Sequence, residues 1–461
     1  MLAAMDTVDI GLTDADVKPV LIIGMGATGV SVARYLTKQE RRFVMADSRA
    51  GLSIAPELNR DHPTSELILG REGNDLVFDQ FSEVIVSPGV PANSPMVLRA
   101  REAGIPLIGD IELFSREVNS PVTAVTGSNG KSTVVHLLAE MYKHAGKNVA
   151  LGGNFGTPAL DLVTSPEPDH YVLELSSFQL ETTASLRPAV AVVLNISEDH
   201  MDRYSGMDEY AQAKAEVYHN AEIAVVNRDD AAALALMPDG VPCVRFGLDE
   251  PPTEDDFGIR LHAGESWLVL GREMLLPVSK LKILGQHNWS NALAALALGG
   301  AVGLPYKAML ETLRGYSGLP HRSQWVAEVK GVTWINDSKA TNPGATLAAL
   351  EGLERPVVLI AGGQGKGADF SVLQSAVETY AKAVVLLGED ADEIARALTG
   401  TVPIVRVASM AEAVAQSAGL AERGDYVLLS PACASFDMFS GYAERGRCFV
   451  DWVLEWERDS Q

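Results

Sequence analysis

The sequence predicts an α/β protein of three domains. A Rossmann-like N-terminal domain covers residues 1–109. A central P-loop ATPase-like domain, with a parallel sheet and a small antiparallel appendage, covers 110–318, and a Rossmann-like C-terminal domain covers 319–461. Three observations predict this. Short apolar runs ending in polar or glycine-rich residues alternate with helical stretches along most of the chain. Two glycine-rich turns sit between an apolar run and an amphipathic segment. Finally, 461 residues exceed the size at which one core keeps growing.

In order, residues 1–17 read as a loose acidic extension, because the first strand pattern starts near Pro19. PVLIIG, GMGATG and SVARYLTKQ then read as strand, turn and helix, followed by a strand in RFVMAD and shorter apolar runs in FSEVIVSPG and IPLIGD. A larger parallel sheet is expected from VTAVT, DHYVLEL, AVAVVLN and AEIAVVN, each apolar and ending in polar residues. GIRLHAG, SWLVLG and EMLLPV alternate as antiparallel strands do, and GQHNWSNALAALALGGAVGL returns as helix. After SGLPHR the strand pattern resumes in GVTWIND, RPVVLIAGG, AKAVVLLGED, PIVRVAS and DYVLLSPA.

Composition excludes several function classes. With 37 Lys plus Arg against 60 Asp plus Glu, the formal charge of −23 repels nucleic acid and anionic membrane surfaces. Anionic substrates would therefore need local positive potential, which gives weight to any basic residue inside a motif. Three cysteines without CxxC spacing indicate neither disulfides nor zinc. No apolar run reaches the roughly 18 residues of a membrane helix, and the N-terminus lacks an export pattern, so a cytoplasmic protein is expected.

The strongest local signal is Thr126-Gly127-Ser128-Asn129-Gly130-Lys131-Ser132-Thr133, between an apolar strand and a helix carrying Val134, Leu137, Leu138 and Met141 on one face. Glycines let backbone N–H groups approach phosphate oxygens, the helix N-terminus adds positive potential, Lys131 can reach terminal phosphates, and Ser132 can hold Mg²⁺. Valine at 125 stands where the longer P-loop has glycine. Glu174, inside Tyr171-Val172-Leu173-Glu174-Leu175, suits either a metal ligand or a solvated edge residue. His200 lies in the polar stretch after the next strand, where open α/β sheets bind ligands, although a lone histidine there is more often structural.

Lys214 shares a helix face with Tyr210, Val217 and Tyr218. Buried, it would be pushed towards the neutral amine that CO₂ can convert to a carbamate. The plainer alternative is a lysine that snorkels to water. Gly24-Met25-Gly26-Ala27-Thr28-Gly29, with Asp47 ending the next strand, fits a nucleotide-diphosphate turn and does not distinguish NAD from a UDP-sugar. Lysines in NDSKATN and GGQGKG follow strands and suit phosphate or carboxylate. Cys433 in SPACAS reads as a small buried hydrophobe rather than a nucleophile.

Taken in order, TGSNGKST, LELSSFQLE, NISEDHMDRY, GQHNWSNALAA, LPHR, NDSKATN, GGQGKGADF and SPACASFD resemble the Mur ligases over nearly the whole chain. The resemblance implies ATP-dependent amide-bond formation in peptidoglycan precursor synthesis. It is nearest to the branch joining D-glutamate to UDP-N-acetylmuramoyl-L-alanine, because the glycine turn is followed by Asp47-Ser48-Arg49 and Ser87-Pro88-Gly89.

By this carry-over Thr28, Asp47, Ser48 and Arg49 hold the uracil end, Ser87, Pro88 and Gly89 lie near the diphosphate, and Asn154 lies further along. Gly127, Ser128, Asn129, Gly130, Lys131, Ser132 and Thr133 cradle ATP, which Asn291, Arg322 and Asp337 also contact. Ser132 and Glu174 bind one Mg²⁺; His200 and carbamylated Lys214 bind a second. Lys131, His200 and Lys214 carry the catalytic chemistry. Lys339, Thr341, Lys366, Ser435 and Phe436 surround the incoming glutamate, whose two carboxylates need lysine and hydroxyl partners. A monomer that closes about SGLPHR is expected. Two positions depart from the family pattern: Gln364 where aspartate is common, and Tyr442 where a phenylalanine often lines the amino-acid pocket. A dehydrogenase using the glycine turn would leave the P-loop and NDSKATN without roles. A nucleotide-gated binding module would not need Glu174, Lys214 and Lys366 together.

Overall fold

Runs such as Val20–Ile23 and Val357–Ala361 are apolar at every position, which suits strands covered on both faces, and the computed structural model places them at the centres of parallel sheets. The structure describes residues 18–70, 76–197, 203–283, 285–353 and 355–459. The expected loose extension at 1–17 lies outside the described residues. By contact density the chain forms two units, residues 1–131 with 146–244, and residues 132–145 with 245–461.

In the first unit, β1 (Val20–Ile23), β2 (Phe43–Asp47), β3 (Glu66–Leu69), β4 (Val84–Val86) and β5 (Leu107–Ile108) form a parallel sheet in the order β3-β2-β1-β4-β5. Glycine turn and helix follow β1 as expected, the helix running Ala27–Lys38. A second set follows: β6 (Val122–Thr126), β7 (Val149–Gly153), β8 (His170–Glu174), β9 (Val190–Val193), β10 (Ala224–Asn227) and β11 (Cys243–Phe246). Their order is β11-β10-β9-β6-β8-β7. The order reverses direction beside β1 and beside β6, so both glycine-rich turns open at topological switch points, where crevices form beyond the strands' carboxyl ends. Phe114 and Tyr171, both buried, meet edge to face at 5.0 Å within one apolar cluster of this unit.

In the second unit, β12 (Phe257–His262), β13 (Glu265–Leu270) and β14 (Glu273–Pro277) form the antiparallel appendage expected from their alternation. Beyond it lie β15 (Gln324–Val329), β16 (Val332–Asn336), β17 (Val357–Ala361), β18 (Ala381–Leu386), β19 (Ile404–Arg406) and β20 (Tyr426–Leu429), in the order β15-β16-β20-β17-β18-β19. This sheet is parallel except for β15, which returns on β16 through Lys330-Gly331 at φ 53° and 79°. Two left-handed residues make the tight hairpin turn whose twist matches its strands. Among the described residues no helix is long and apolar enough to cross a membrane.

Candidate functional site

In the first unit, β1 ends at a turn that only glycine can make. At Gly29 a Cβ would stand 2.0 Å from the Gly24 carbonyl oxygen, and Gly24 itself has φ +92°. Gly26 has open space where a side chain would be, so ligand can approach the backbone there. Asp47 at the end of β2 accepts the Met25 N–H at 2.8 Å and takes two bonds from the Arg49 guanidinium at 2.8 and 2.7 Å. The Arg49 pair holds the Asp47 carboxyl well down, to about 2, so it is anionic at any physiological pH. The Ser87 hydroxyl donates to the Gly24 carbonyl at 2.6 Å and so ties β4 to the turn.

These groups line a pocket of about 920 Å³. Thr28, Asp47, Ser48, Arg49, Ser87, Pro88, Gly89 and Asn154, the residues expected at the UDP-sugar, all face it. Sequence reasoning missed Gln179 on the same wall. Its amide donates to Asp110 at 3.1 Å and accepts the Ser176 backbone N–H at 3.2 Å, and both Gln179 and Asp110 are buried. The capping spacing of Ser176 and Gln179 was a signal available in the sequence.

Burial pushes the Asp110 carboxyl up from 3.8 to about 6. Between those values the folded chain binds the proton more than the unfolded chain does. Stability therefore falls as pH rises through that window and is level above it. We expect Asp110→Asn, which keeps an acceptor for Gln179, to flatten this fall and raise stability at pH 7 by up to about 3 kcal/mol. Thermal melts at pH 4, 5, 6 and 7 check it, and parallel curves for the two proteins would refute it.

The P-loop residues Gly127–Lys131 follow β6, and the helix Lys131–His144 begins with Lys131, Ser132 and Thr133. Asn129 N–H donates to the Asn195 side chain at 2.8 Å, and the Ser128 hydroxyl lies 3.2 Å from that of Tyr210. Lys131 Nζ donates to the carbonyls of Gly127 and Ser128 at 2.7 and 2.9 Å. Lys214 does not snorkel: it is 2 % exposed, donates to the same Gly127 carbonyl at 2.9 Å, and lies 4.6 Å from the Tyr210 ring centre. Glu174 is buried at the end of β8 and accepts from Asn154 at 2.9 Å. A buried carboxylate offers the hard oxygen that Mg²⁺ prefers. His200 lies outside the described residues.

In the second unit, Asp337, the residue after β16, accepts the Ser323 N–H at 3.0 Å and the Ser430 hydroxyl at 2.9 Å, beside Arg322. Burial raises its carboxyl to about 6. Asn291 lies in the helix Gln286–Ala301 and donates to Asn288 at 3.1 Å. Gln364 and Ala434 exchange two backbone hydrogen bonds at 2.9 Å, which seats the GGQGKG loop against SPACAS. Lys366 Nζ thus lies 5.6 Å from the ring centre of Phe436, itself 65 % exposed.

The Ser435 hydroxyl is buried with no hydrogen-bond partner among the described residues, a cost that a ligand's carboxylate would relieve. Lys339 Nζ sits 4.2 Å over the ring of Tyr442, while Thr341 is exposed at the start of the next helix. Cys433 is buried, and burial pushes its thiol up to about 12, so it is no nucleophile.

Sequence reasoning also missed Arg445. It is 2 % exposed, and its guanidinium donates to the Ser338 hydroxyl and carbonyl at 3.0 and 2.9 Å, to Cys433 O at 3.0 Å, to Ala434 O at 3.3 Å and to Gly362 O at 3.4 Å. Three of the motif loops meet on this one side chain.

Comparison with known proteins gives three family matches: a MurD-like N-terminal domain over residues 18–109, a Mur ligase middle domain over 125–299, and a Mur ligase glutamate ligase domain over 321–433. Proteins named UDP-N-acetylmuramoylalanine–D-glutamate ligase are similar along almost their whole length. The one from Nitrosococcus oceani is 50% identical over 437 residues, 94% of this chain and 96% of that protein. The one from Pseudomonas syringae pv. tomato is 52% identical over 437 residues, 94% and 97% of the two chains. Among solved structures, the UDP-N-acetylmuramate-alanine ligase of Thermotoga maritima shares the fold, with a TM-score of 0.55 at 20% identity over 95% of this chain and 99% of that one.

Proposed function

The chain belongs to the Mur ligase family, and from that premise we propose that it joins D-glutamate to UDP-N-acetylmuramoyl-L-alanine at the expense of ATP, in the cytoplasm, as a step of peptidoglycan precursor synthesis. The observation that carries this reading is the pocket of about 920 Å³, in which eight residues from separate parts of the chain converge on a glycine turn. We divide the chain at 109/110 and 318/319 into domains for the UDP-sugar, ATP and the amino acid, and a single copy supplies every group.

In this reading the γ-phosphoryl group of ATP passes to the L-alanine carboxylate, releasing ADP and leaving an acyl phosphate. The glutamate amine then attacks that carbonyl, phosphate departs, and the amine loses a proton as the amide forms. Asp47 and Arg49, locked together, orient the uracil end with Thr28 and Ser48; Ser87, Pro88 and Gly89 carry the diphosphate. Lys131 neutralises phosphate charge with the loop N–H groups of 127–133, and Asn291, Arg322 and Asp337 hold the nucleotide. Lys339, Thr341, Lys366, Ser435 and Phe436 receive glutamate, the two lysines each matching a carboxylate. Ser132, Glu174, His200 and carbamylated Lys214 would hold two Mg²⁺ ions, which supply charge neutralisation when bound.

Phosphate release tests the reading, with ATP, Mg²⁺ and UDP-N-acetylmuramoyl-L-alanine supplied alongside D-glutamate, L-glutamate or no amino acid. Release that depends on D-glutamate is expected. Equal release without amino acid would count against ligation, and a preference for L-glutamate would revise the amino-acid pocket.

A further inference from the structure

Arg203 is the penultimate residue of the NISEDHMDRY motif, yet nothing in the reaction above uses it. Its guanidinium carbon stands over the Phe178 ring, 3.9 Å from the centroid. One arm donates to the Pro88 carbonyl at 3.0 Å and reaches Val90 O at 3.5 Å; the other donates to Glu181 at 3.1 Å. The side chain is 17% exposed, so the part-buried bond to Pro88 is charge-assisted and partly shielded from water. Glu181 is held from its other oxygen by the Tyr204 hydroxyl, and Tyr204 packs on both Phe178 and Tyr210. Arg203 is therefore clamped on the side away from Pro88.

The consequence concerns the peptide after Pro88. In a trans peptide the C=O and the following N–H point in opposite directions. With the Pro88 oxygen held by Arg203, the Gly89 N–H must face away from it, and Gly89 lines the pocket assigned to the UDP-sugar. Resting on that assignment, we propose that Arg203 is a positioning residue: it fixes the Pro88–Gly89 peptide so that the Gly89 N–H is presented to the substrate's diphosphate. Lysine cannot replace it, because an ammonium has no plane to stack while forking to two acceptors.

The test uses the full chain and three probes: UDP-N-acetylmuramoyl-L-alanine by titration calorimetry and as substrate, with UDP and uridine as competitors. Arg203→Lys weakens UDP and the UDP-sugar about tenfold and Arg203→Ala on the order of a hundredfold, the range of one or two charge-assisted bonds. Uridine inhibition stays within about twofold in both, and KM for the UDP-sugar rises while KM for ATP holds. A merely structural role would weaken uridine in step with UDP, so parallel losses overturn the proposal. So does unchanged UDP affinity in Arg203→Lys. Failure of the wild-type chain to bind the UDP-sugar at all overturns the functional reading instead, and this inference with it.

Discussion

Replacing Lys214 with alanine is expected to lower D-glutamate-dependent phosphate release by about a thousandfold or more while leaving UDP-sugar affinity within about threefold. The reason is local. Lys131 and Lys214 both direct Nζ at the Gly127 carbonyl, at 2.7 and 2.9 Å, so the two side chains meet at one oxygen of the P-loop, and Lys214 is buried there. Reaction of the Lys214 amine with CO₂ would form an N–C bond, release a proton and leave a carbamate anion. Such a carbamate would face the Lys131 ammonium as an anion, and its remaining N–H would still serve Gly127. Incubation with ¹³C-bicarbonate should therefore give a carbamate resonance in the wild-type protein that is missing from Lys214→Ala. A variant retaining a tenth of the turnover, or the same resonance in both proteins, would remove Lys214 from the reaction.

The second large effect is expected at Lys131. Its ammonium rests on the carbonyls of its own loop, ready to be drawn off by phosphate oxygens of greater charge. Lys131→Ala should reduce phosphate release by about a thousandfold. It should leave UDP-sugar binding intact, because Lys131 is not among the residues lining that pocket. Steady-state rates and calorimetry on one preparation decide between this and general unfolding. Loss of both would indicate a structural role, and loss of neither would mean that another cation meets the phosphates.

The parts legible in the sequence were those where one physical cause dominates a short window. Unbroken apolar runs announced β1, β9 and β17, largely apolar runs ending in polar residues announced β6 and β8, and glycines at fixed spacing announced the two turns. The strand β15 went unread because Gln324–Val329 packs on one neighbour at a sheet edge and carries a mixed pattern, even though Lys330-Gly331 is a hairpin signal. Gln179, Arg203 and Arg445 were missed for a different reason. Each works through backbone or side-chain atoms that the fold delivers from elsewhere: Asp110 is 69 residues from Gln179, Pro88 is 115 from Arg203, and Ser338 is 107 from Arg445. Arg445 also sits between Glu444 and Arg447 near the start of the helix Tyr442–Asp459, among charged residues of the kind that usually face solvent. Lys214 is the converse case: the apolar face was visible, but only the packed structure decides between burial and escape to water.

Arg445 has one more implication. Among the described residues the buried Arg445 guanidinium hydrogen-bonds to hydroxyl and carbonyl oxygens rather than to a carboxylate, and burial lowers its pKa to about 10. Letting go of any one loop would strand a cation with too few acceptors. The segments around Ser338, Gly362 and Cys433 should then open together or not at all. In native-state hydrogen exchange they would behave as one cooperative block with a common opening free energy, so the loops proposed to receive the amino acid would be either wholly formed or wholly lost.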